Sequence, residues 1–399
     1  MASIERRTRK DAEGNDRSLY MVRWRDPDGR QRARSFELLK DARKHKANVE
    51  ADLVRGEYID PDAGKETFEV YARRWLDAQT FDSGEIIESR LRNHVYPVLG
   101  PKPLARIKPS TIQSWLRTLS PLAPNYQKAI FEHVLSVFAA AVDDEVLAKN
   151  PCRAGSVSRP KGQASKIVPW TLERVLAMRD ALPERYQIVV TLGAGLGLRQ
   201  GEIFGLSPDD VDFLRSTVEV QRQVRVVNGR LLVFALPKGR KTRTVPLPDS
   251  VRDELAVHLS RFPAWPVTLP WRTPEGEPTT VNLITSTPRG RQHALNRKNF
   301  NSSAWRPAQE VAGVPPAREN GCHALRHFYA STLLDAGETI KALSEYLGHS
   351  DPGFTLRTYT HLMPSSHDRT RTAVDAVLTR VSHVYTDAAE AKVTPETVT

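Results

Sequence analysis

His323-Ala-Leu-Arg326-His327, Leu347-Gly348-His349-Ser350 and Thr358-Tyr359-Thr360-His361 crowd the last fifth of a 399-residue chain, and Gly197-Leu-Arg199-Gln-Gly-Glu202 stands upstream of them. Two arginines, two histidines and a tyrosine are parts enough to attack a phosphodiester without a metal. Arginine stays charged at any physiological pH, and its planar fork fits two phosphate oxygens. A tyrosine hydroxyl, with a pKa of about 10, is a poor nucleophile unless nearby cations favour the phenolate. Tyr359 lies among Arg357, His361 and, earlier in the chain, His349. Taken alone, any one of the ten tyrosines is more readily a core residue; the constellation singles out Tyr359.

Composition points to a polyanionic partner. Lys and Arg number 58 against 47 Asp and Glu, a formal charge of +11, which favours nucleic acid first. Two cysteines, Cys152 and Cys322, are too few for a disulfide framework or a Cys-rich zinc site. The N-terminus runs straight into charge and has no apolar signal-peptide core. The most apolar run, 188–198, is too short to span a bilayer. These features read as a soluble, cytoplasmic protein.

Rival chemistries fail on spacing. Gly193-Ala-Gly-Leu-Gly-Leu-Arg-Gln-Gly201 is glycine-rich but misses G-x-G-x-x-G, and no Walker motif is present. His323 and His327 stand at i, i+4, but Ala324 occupies the position where a zinc protease carries glutamate. Arg199 follows an apolar segment, and a buried arginine needs an anion. Glu202 could be that anion, so a purely structural ion pair stays open beside phosphate binding.

Along the chain the expected fold is α+β and multidomain. Residues 1–60 read as a small β-hairpin and helix domain. Tyr20, Val22 and Trp24 alternate with charged positions, Asp26-Pro-Asp-Gly29 makes the turn, and Arg30, Arg32 and Arg34 fall on one strand face. That face is either solvated or tracks phosphates. Residues 66–152 read as all-helical. One helix starts at Pro109 with Ser110 or Thr111 as N-cap; another runs from about Asn125 to Ala148. The basic, Gly/Ser/Pro-rich stretch 153–166 reads as a linker. Residues 167–385 form the largest domain, mainly helical with a small antiparallel sheet. Strands are expected at 218–227 and 231–236 around Asn228-Gly229, with a second basic turn at 238–244. The stretch 262–300 gives no clear pattern. A helix from Ala373 to Val381 is followed by a polar tail, 386–399, that reads as disordered.

Taken in order, the Arg199 and Glu202 motif, a lysine on the basic turn before Val245-Pro-Leu, His323-x-x-Arg326, Leu347-Gly-His349 and Tyr359-Thr-His resemble the tyrosine recombinases of the phage and mobile-element integrase type. Tyr96-Pro-Val-Leu-Gly100 and the segment from Leu104 to Trp115 resemble that family's core-site DNA-binding domain, and the N-terminal unit resembles its arm-site-binding domain at the level of composition. The resemblance implies that Tyr359 attacks the scissile phosphate to form a 3′-phosphotyrosyl bond. Arg199 and Arg326 clamp the non-bridging oxygens, and His323 and His349 contact the phosphate or move protons. Lys238 protonates the leaving 5′-oxygen, with Lys241 on the same turn left open, and Glu202 braces the site. It implies no cofactor or metal.

The implied partners are double-stranded DNA attachment sites, three further copies of the chain in a tetramer, and a host or element-encoded directionality factor, with no membrane. The last helix would dock on a neighbouring protomer or pack in its own domain. The implied reaction is integration or excision of a mobile element through a Holliday junction. A Xer-like resolvase, a relaxing type IB-like topoisomerase and a DNA-binding regulator with a decayed site are the alternatives. The arm-like N-terminus speaks against the topoisomerase, and the full set of expected catalytic residues against the regulator.

Overall fold

A computed structural model describes residues 2–10, 16–27, 29–55, 58, 60, 63–79, 84–163, 167–287 and 294–362, with 371, 374, 375 and 378 beyond them. The chain divides into two compact units, Met1–Ala164 and Ser165–Thr399. The expected helix Ala373 to Val381 falls largely outside the described residues, as does the tail 386–399.

The first unit opens with an antiparallel sheet of β1 (Ser3–Lys10), β2 (Asp16–Arg25) and β3 (Gln31–Phe36), with helix α1 (Leu39–Arg55) against it. The charged N-terminus is therefore a strand that pattern reading left unassigned. Register decides the faces: Tyr20 pairs Phe36, Val22 pairs Arg34 and Trp24 pairs Arg32. Directly paired residues of an antiparallel ladder share a face. Val22 and Trp24 are buried with Ala42 and Val49 of α1, so Arg32 and Arg34 lie on the side the helix covers.

The rest of this unit is helical: α2 (Phe68–Asp77), α3 (Gly84–His94), the short α4 (Tyr96–Leu99), α5 (Pro109–Thr118) and α6 (Pro124–Asp143). They enclose a second, separate core around Phe68, Tyr71, Leu91, Trp115, Phe131 and Phe138. Helix α5 starts at Pro109 as expected, but its cap precedes Ser110 and Thr111. Lys108 is its N-cap and Pro109 its first residue, where the missing N–H costs nothing. The Thr111 hydroxyl accepts the Lys108 N–H at 3.4 Å instead of capping. Helix α6 ends at Asp143, five residues short of Ala148, because Glu145 turns left-handed (φ 57°) and returns the chain. The basic stretch after Asn150 is laid on these helices as far as it is described. Cys152 and Val157 are buried in the helical core, and Ser158 N–H donates to Gln113 Oε1 at 2.8 Å. Its last residues, 164–166, lie outside the described residues.

The second unit begins with α7 (Leu172–Asp180), capped by the Thr171 hydroxyl, then α8 (Glu184–Leu196) and α9 (Gln200–Phe204). The strand expected at 218–227 is broken. Strands β4 (Val211–Asp212) and β5 (Thr217–Val220) belong to one sheet, while β6 (Gln223–Val227) pairs with β7 (Leu231–Ala235) in another. The β6–β7 turn, Asn228-Gly229, has φ of 49° and 72°, the doubly positive geometry that suits a right-twisted hairpin. Strand β8 (Arg243–Pro246) pairs with β5. Helix α10 (Asp249–Arg261) leads to a hairpin of β9 (Trp265–Pro270) and β10 (Pro278–Leu283) in the stretch that gave no pattern. Its three prolines sit in a two-stranded sheet in which both strands are edges, where a missing N–H is tolerated. Helix α11 (Arg297–Phe300) passes through a π-helical turn, Asn301–Trp305, into α12 (Arg306–Val311), and α13 (His323–Asp335), α14 (Ile340–Leu347) and α15 (Pro352–Tyr359) follow. Among the described residues, no helix is long and apolar enough to cross a membrane.

Candidate active site

Two helix ends build the site. Helix α8 stops at Gly197 (φ 63°) and α14 at Gly348 (φ 61°), both left-handed. Glycine enters this region without steric cost. At Gly197 it is also required by space, since a Cβ would come 2.4 Å from Tyr329 Cδ1. A left-handed stop leaves the last helical carbonyls without helical partners. Arginines take them. Arg243 Nε donates to Tyr346 O at 2.7 Å, Arg326 Nη2 donates to Leu347 O, and Arg199 Nη2 reaches Gly348 O at 3.5 Å. Arg326 Nη1 donates to Gly197 O at 2.7 Å. Cations are favoured at the negative end of a helix dipole, so one set of carbonyls gathers three guanidinium groups from separate elements.

Glu202 holds them from behind. Its carboxylate accepts Arg199 Nη1 and the Arg199 backbone N–H, both at 2.9 Å, and Arg243 Nη1 and Nη2 at 3.1 and 2.7 Å. Burial alone would push this carboxyl up. The hydrogen bond and charge of Arg243, followed by the charge and N–H of Arg199, outweigh it and bring the pKa down to about 2. The ion pair left open by the sequence exists, but it does not consume Arg199, whose side chain keeps 19% of its surface exposed. Arg243 is the bracing residue that sequence reading missed.

Arg326 is 1% exposed. Besides its two carbonyls, Nη2 contacts His349 Nε2 at 3.1 Å. Arginine has no acceptor, so Nε2 must be the unprotonated nitrogen. The proton then sits on Nδ1, which is 2.7 Å from the buried Thr355 hydroxyl. Arg326 thereby sets the tautomer of His349, and Thr355 accepts the Nδ1 proton, a role with no sequence signal. Burial, then the charges of Arg326, Arg199 and Arg243, lower the His349 pKa to about 3, consistent with a neutral ring.

Tyr359 ends α15 and is 1% exposed. Burial raises its pKa, and the charges of Arg326 and Arg199 pull it back. Its hydroxyl lies 2.9 Å from His327 Nδ1. His327 in turn packs edge-on against His323, ring centroids 4.7 Å apart. Arg199, Arg326, His349 and Tyr359 are thus brought together, with His323 joined through His327.

Lys238 stands apart. It occupies the corner of a tight turn in which Arg240 N–H donates to Pro237 O at 2.9 Å and Gly239 has φ 89°. Lys238 and Lys241 are both exposed. Of the three arginines read on one strand face of the N-terminal domain, Arg30 and Arg34 are exposed and Arg32 is half-buried. Arg30 precedes β3, and Arg32 is bound by Asp26 at 3.0 Å and by Asp60. Arg34 lies over the Phe36 ring at 5.4 Å. The face not covered by α1 carries Arg7, Arg23 and Arg25, because Arg23 pairs Ala33 and Arg25 pairs Gln31 out of phase with the core residues. Among the described residues, no cluster of three or more His, Cys, Asp or Glu side chains is placed to hold a metal ion.

Comparison with known proteins identifies the family. The integrase of Mycobacterium phage D29 is 25% identical over 336 residues, covering 81% of this chain and 84% of that protein. A XerC-like tyrosine recombinase of Caldanaerobacter subterraneus subsp. tengcongensis is 31% identical over 256 residues, 59% of this chain and 62% of that protein's length. Among solved structures, the Tn1549 transposon integrase bound to a circular-intermediate DNA superposes with a TM-score of 0.64, at 19% identity, over 78% of this chain and 99% of that one. A lambda integrase tetramer bound to a Holliday junction gives 0.54 at 14% identity, over 86% and 96%. Both share the fold. Residues 167–366, half the chain and all of the site, match the phage integrase family. The chain belongs to that family, the tyrosine recombinases.

Proposed function

We propose that this protein cuts and rejoins duplex DNA at specific attachment sites, integrating or excising a mobile element. The observation that carries the reading is that Arg199 and Arg326 are held on the carbonyls that end α8 and α14, with His349 bonded to Arg326 and Tyr359 within reach of both charges. A phosphate entering between Arg199 and Arg326 meets two fixed cations whose positions are set before it arrives, the arrangement that stabilises charge as it develops on phosphoryl oxygens. The Tyr359 oxygen attacks phosphorus, the bond to the 5′-oxygen breaks, and the leaving oxygen takes a proton from Lys238. The phosphodiester bond energy is kept in the 3′-phosphotyrosyl bond, so a 5′-hydroxyl from a partner duplex reverses the step and joins strands in a new pairing. Two such exchanges through a Holliday junction within a tetramer complete recombination.

Residues 1–60 serve arm sites, with the exposed Arg30 and Arg34 beside Arg32, and Arg25 on the other sheet face, as the cations available to DNA. Residues 66–152 bind the core site, 153–166 join them to the catalytic domain, 167–385, and a directionality factor sets integration against excision in the cytoplasm. The relatives named as phage and prophage integrases support the mobile-element setting.

Nicked suicide duplexes tiled across the DNA flanking the gene test the reading. The wild type should give a covalent adduct on one of them, and Tyr359→Phe should give none while still binding it. An adduct that survives in Tyr359→Phe places the nucleophile elsewhere.

A further inference from the structure

The phenol proton of Tyr359 has no assigned destination in the reaction above, and one side chain is in place to receive it. Among the described residues, the Tyr359 hydroxyl makes its hydrogen bond to His327 Nδ1, at 2.9 Å. The two rings meet edge-on, centroids 5.7 Å apart. His327 follows Arg326 directly on α13, so the residue that clamps phosphate and the one that touches the nucleophile are fixed by the same helical turn. We propose that His327 is the general base of strand cleavage and the general acid of strand joining. This rests on the recombinase reading.

The other two histidines are less suited. His349 already shares its Nε2 lone pair with Arg326 and holds its proton toward Thr355. His323 meets the His327 ring, one residue removed from the phenol. His327 is half-buried on α13. The groups facing it are His323 and Arg326 on its own helix, Tyr359 from α15 and, through charge, His349 beyond the end of α14. Helix α8, packed on the same helix, offers Gly193 against Leu325. Burial, then the charge of Arg326, lower the His327 pKa to about 4. The ring is therefore neutral at pH 7, and in the tautomer protonated on Nε2 it offers the phenol a lone pair on Nδ1. A bound phosphate offsets the second of these effects and strengthens the base when it is needed.

In cleavage, the Tyr359 Oη–P bond forms and the P–O5′ bond breaks; the Oη proton passes to His327 Nδ1, and a proton from Lys238 goes to O5′. In joining, the 5′-hydroxyl attacks phosphorus and returns its proton to Lys238, and the His327 imidazolium protonates the departing Tyr359 oxygen.

The test uses the full chain and the nicked duplex that gives most adduct with the wild type. His327→Asn keeps an acceptor near the position of Nδ1 but cannot take up a proton. It should bind this duplex as the wild type does and form adduct about 10²–10⁴ times more slowly, the usual range for a lost acid–base group. Its rate should also lack the rise with pH that titration of the base gives the wild type. Adduct formation within about threefold of wild type, with the same pH profile, overturns the proposal. If His327→Asn does not fold, His327→Ala decides. Recovery of its rate by added imidazole supports the base role, and no recovery overturns it. An adduct made by the wild type and abolished in Tyr359→Phe secures the recombinase reading separately, so that either can fail alone.

Discussion

Glu202→Gln tests whether the arginine cluster is held by one buried carboxylate. The amide keeps the shape of the side chain but removes the charge that faces Arg199 and Arg243. The magnitude follows from proton affinity. The folded-state pKa is about 2 against an ordinary 4.5, and each tenfold change is worth about 1.4 kcal/mol, giving about 3 kcal/mol at pH 7. An independent route agrees: removing one partner of a buried ion pair costs about 3–5 kcal/mol. For a domain of this size that is a fall in Tm of about 6–12 °C. The sign with pH is fixed. A carboxyl whose pKa is depressed by folding stabilises above its unfolded value and loses that contribution as pH falls through the folded one. The gap between wild type and Glu202→Gln should therefore be about 3 kcal/mol at pH 7, about 2 at pH 3.5 and close to nothing at pH 2. Urea unfolding of the full chain at several pH values reads it directly. A variant within about 0.5 kcal/mol of wild type at pH 7 refutes the bracing argument. So does a gap that does not narrow between pH 5 and 3.5.

Thr355→Val leaves the Nδ1–H of His349 without its buried acceptor. It should cost about 1–3 kcal/mol by thermal melt and slow adduct formation while leaving duplex binding intact. Gly197→Ala forces a left-handed alanine against Tyr329, so a loss of more than about 2 kcal/mol is expected in urea unfolding. Adduct formation should fall with it, because Gly197 O positions Arg326. Lys238→Ala should slow cleavage, and a 5′-bridging phosphorothioate, whose leaving group needs no proton, should restore the rate. Rescue of Lys241→Ala instead would move the general-acid assignment to Lys241.

The parts of the site legible in the sequence were those whose chemistry is unusual for their surroundings. Arg199 after an apolar helix, Arg326 one turn from His323, and a glycine just before His349 each carry a reason to be noticed alone. Arg243 carries none. It is one of four cations between Lys238 and Arg243, and composition gives no ground for choosing among them. What selects it is the pairing of β8 with β5, which carries this one arginine to the end of α14. Thr355 is equally mute, because its partner is set by the packing of α15 and not by sequence spacing. Arg32 shows the reverse error. Period-two reading grouped it correctly with Arg34 but could not say which face α1 would cover, and Asp60, far along the chain, neutralises it.

The fold supplies one part of the site, and the DNA must supply the other. The proposed phosphate clamp is fixed in the free chain, because its arginines are bonded to backbone carbonyls and a buried carboxylate, none of which depends on a substrate. The proposed nucleophile is not presented in the same way. At 1% exposure, with its hydroxyl on His327, Tyr359 cannot reach a phosphate that stays outside the protein surface. Either the phosphate enters between Arg199 and Arg326 as far as the phenol, or α15 moves to meet it. Helix α15 spans only eight residues and its N-cap is Asp351, bonded to Gly353 N–H and to exposed Arg357. Those exposed bonds are the weak kind, worth about 0–1 kcal/mol, and two buried hydroxyls, Thr355 on His349 and Tyr359 on His327, add to them, whereas the clamp is held by several buried bonds to carbonyls and a carboxylate. If the two differ in mobility as their bonding does, amide exchange in the DNA-free chain should be fast over 352–359 and slow over 197–204. Equal protection of the two segments would mean that the tyrosine is as rigidly placed as the clamp, leaving entry of the phosphate as the route to attack.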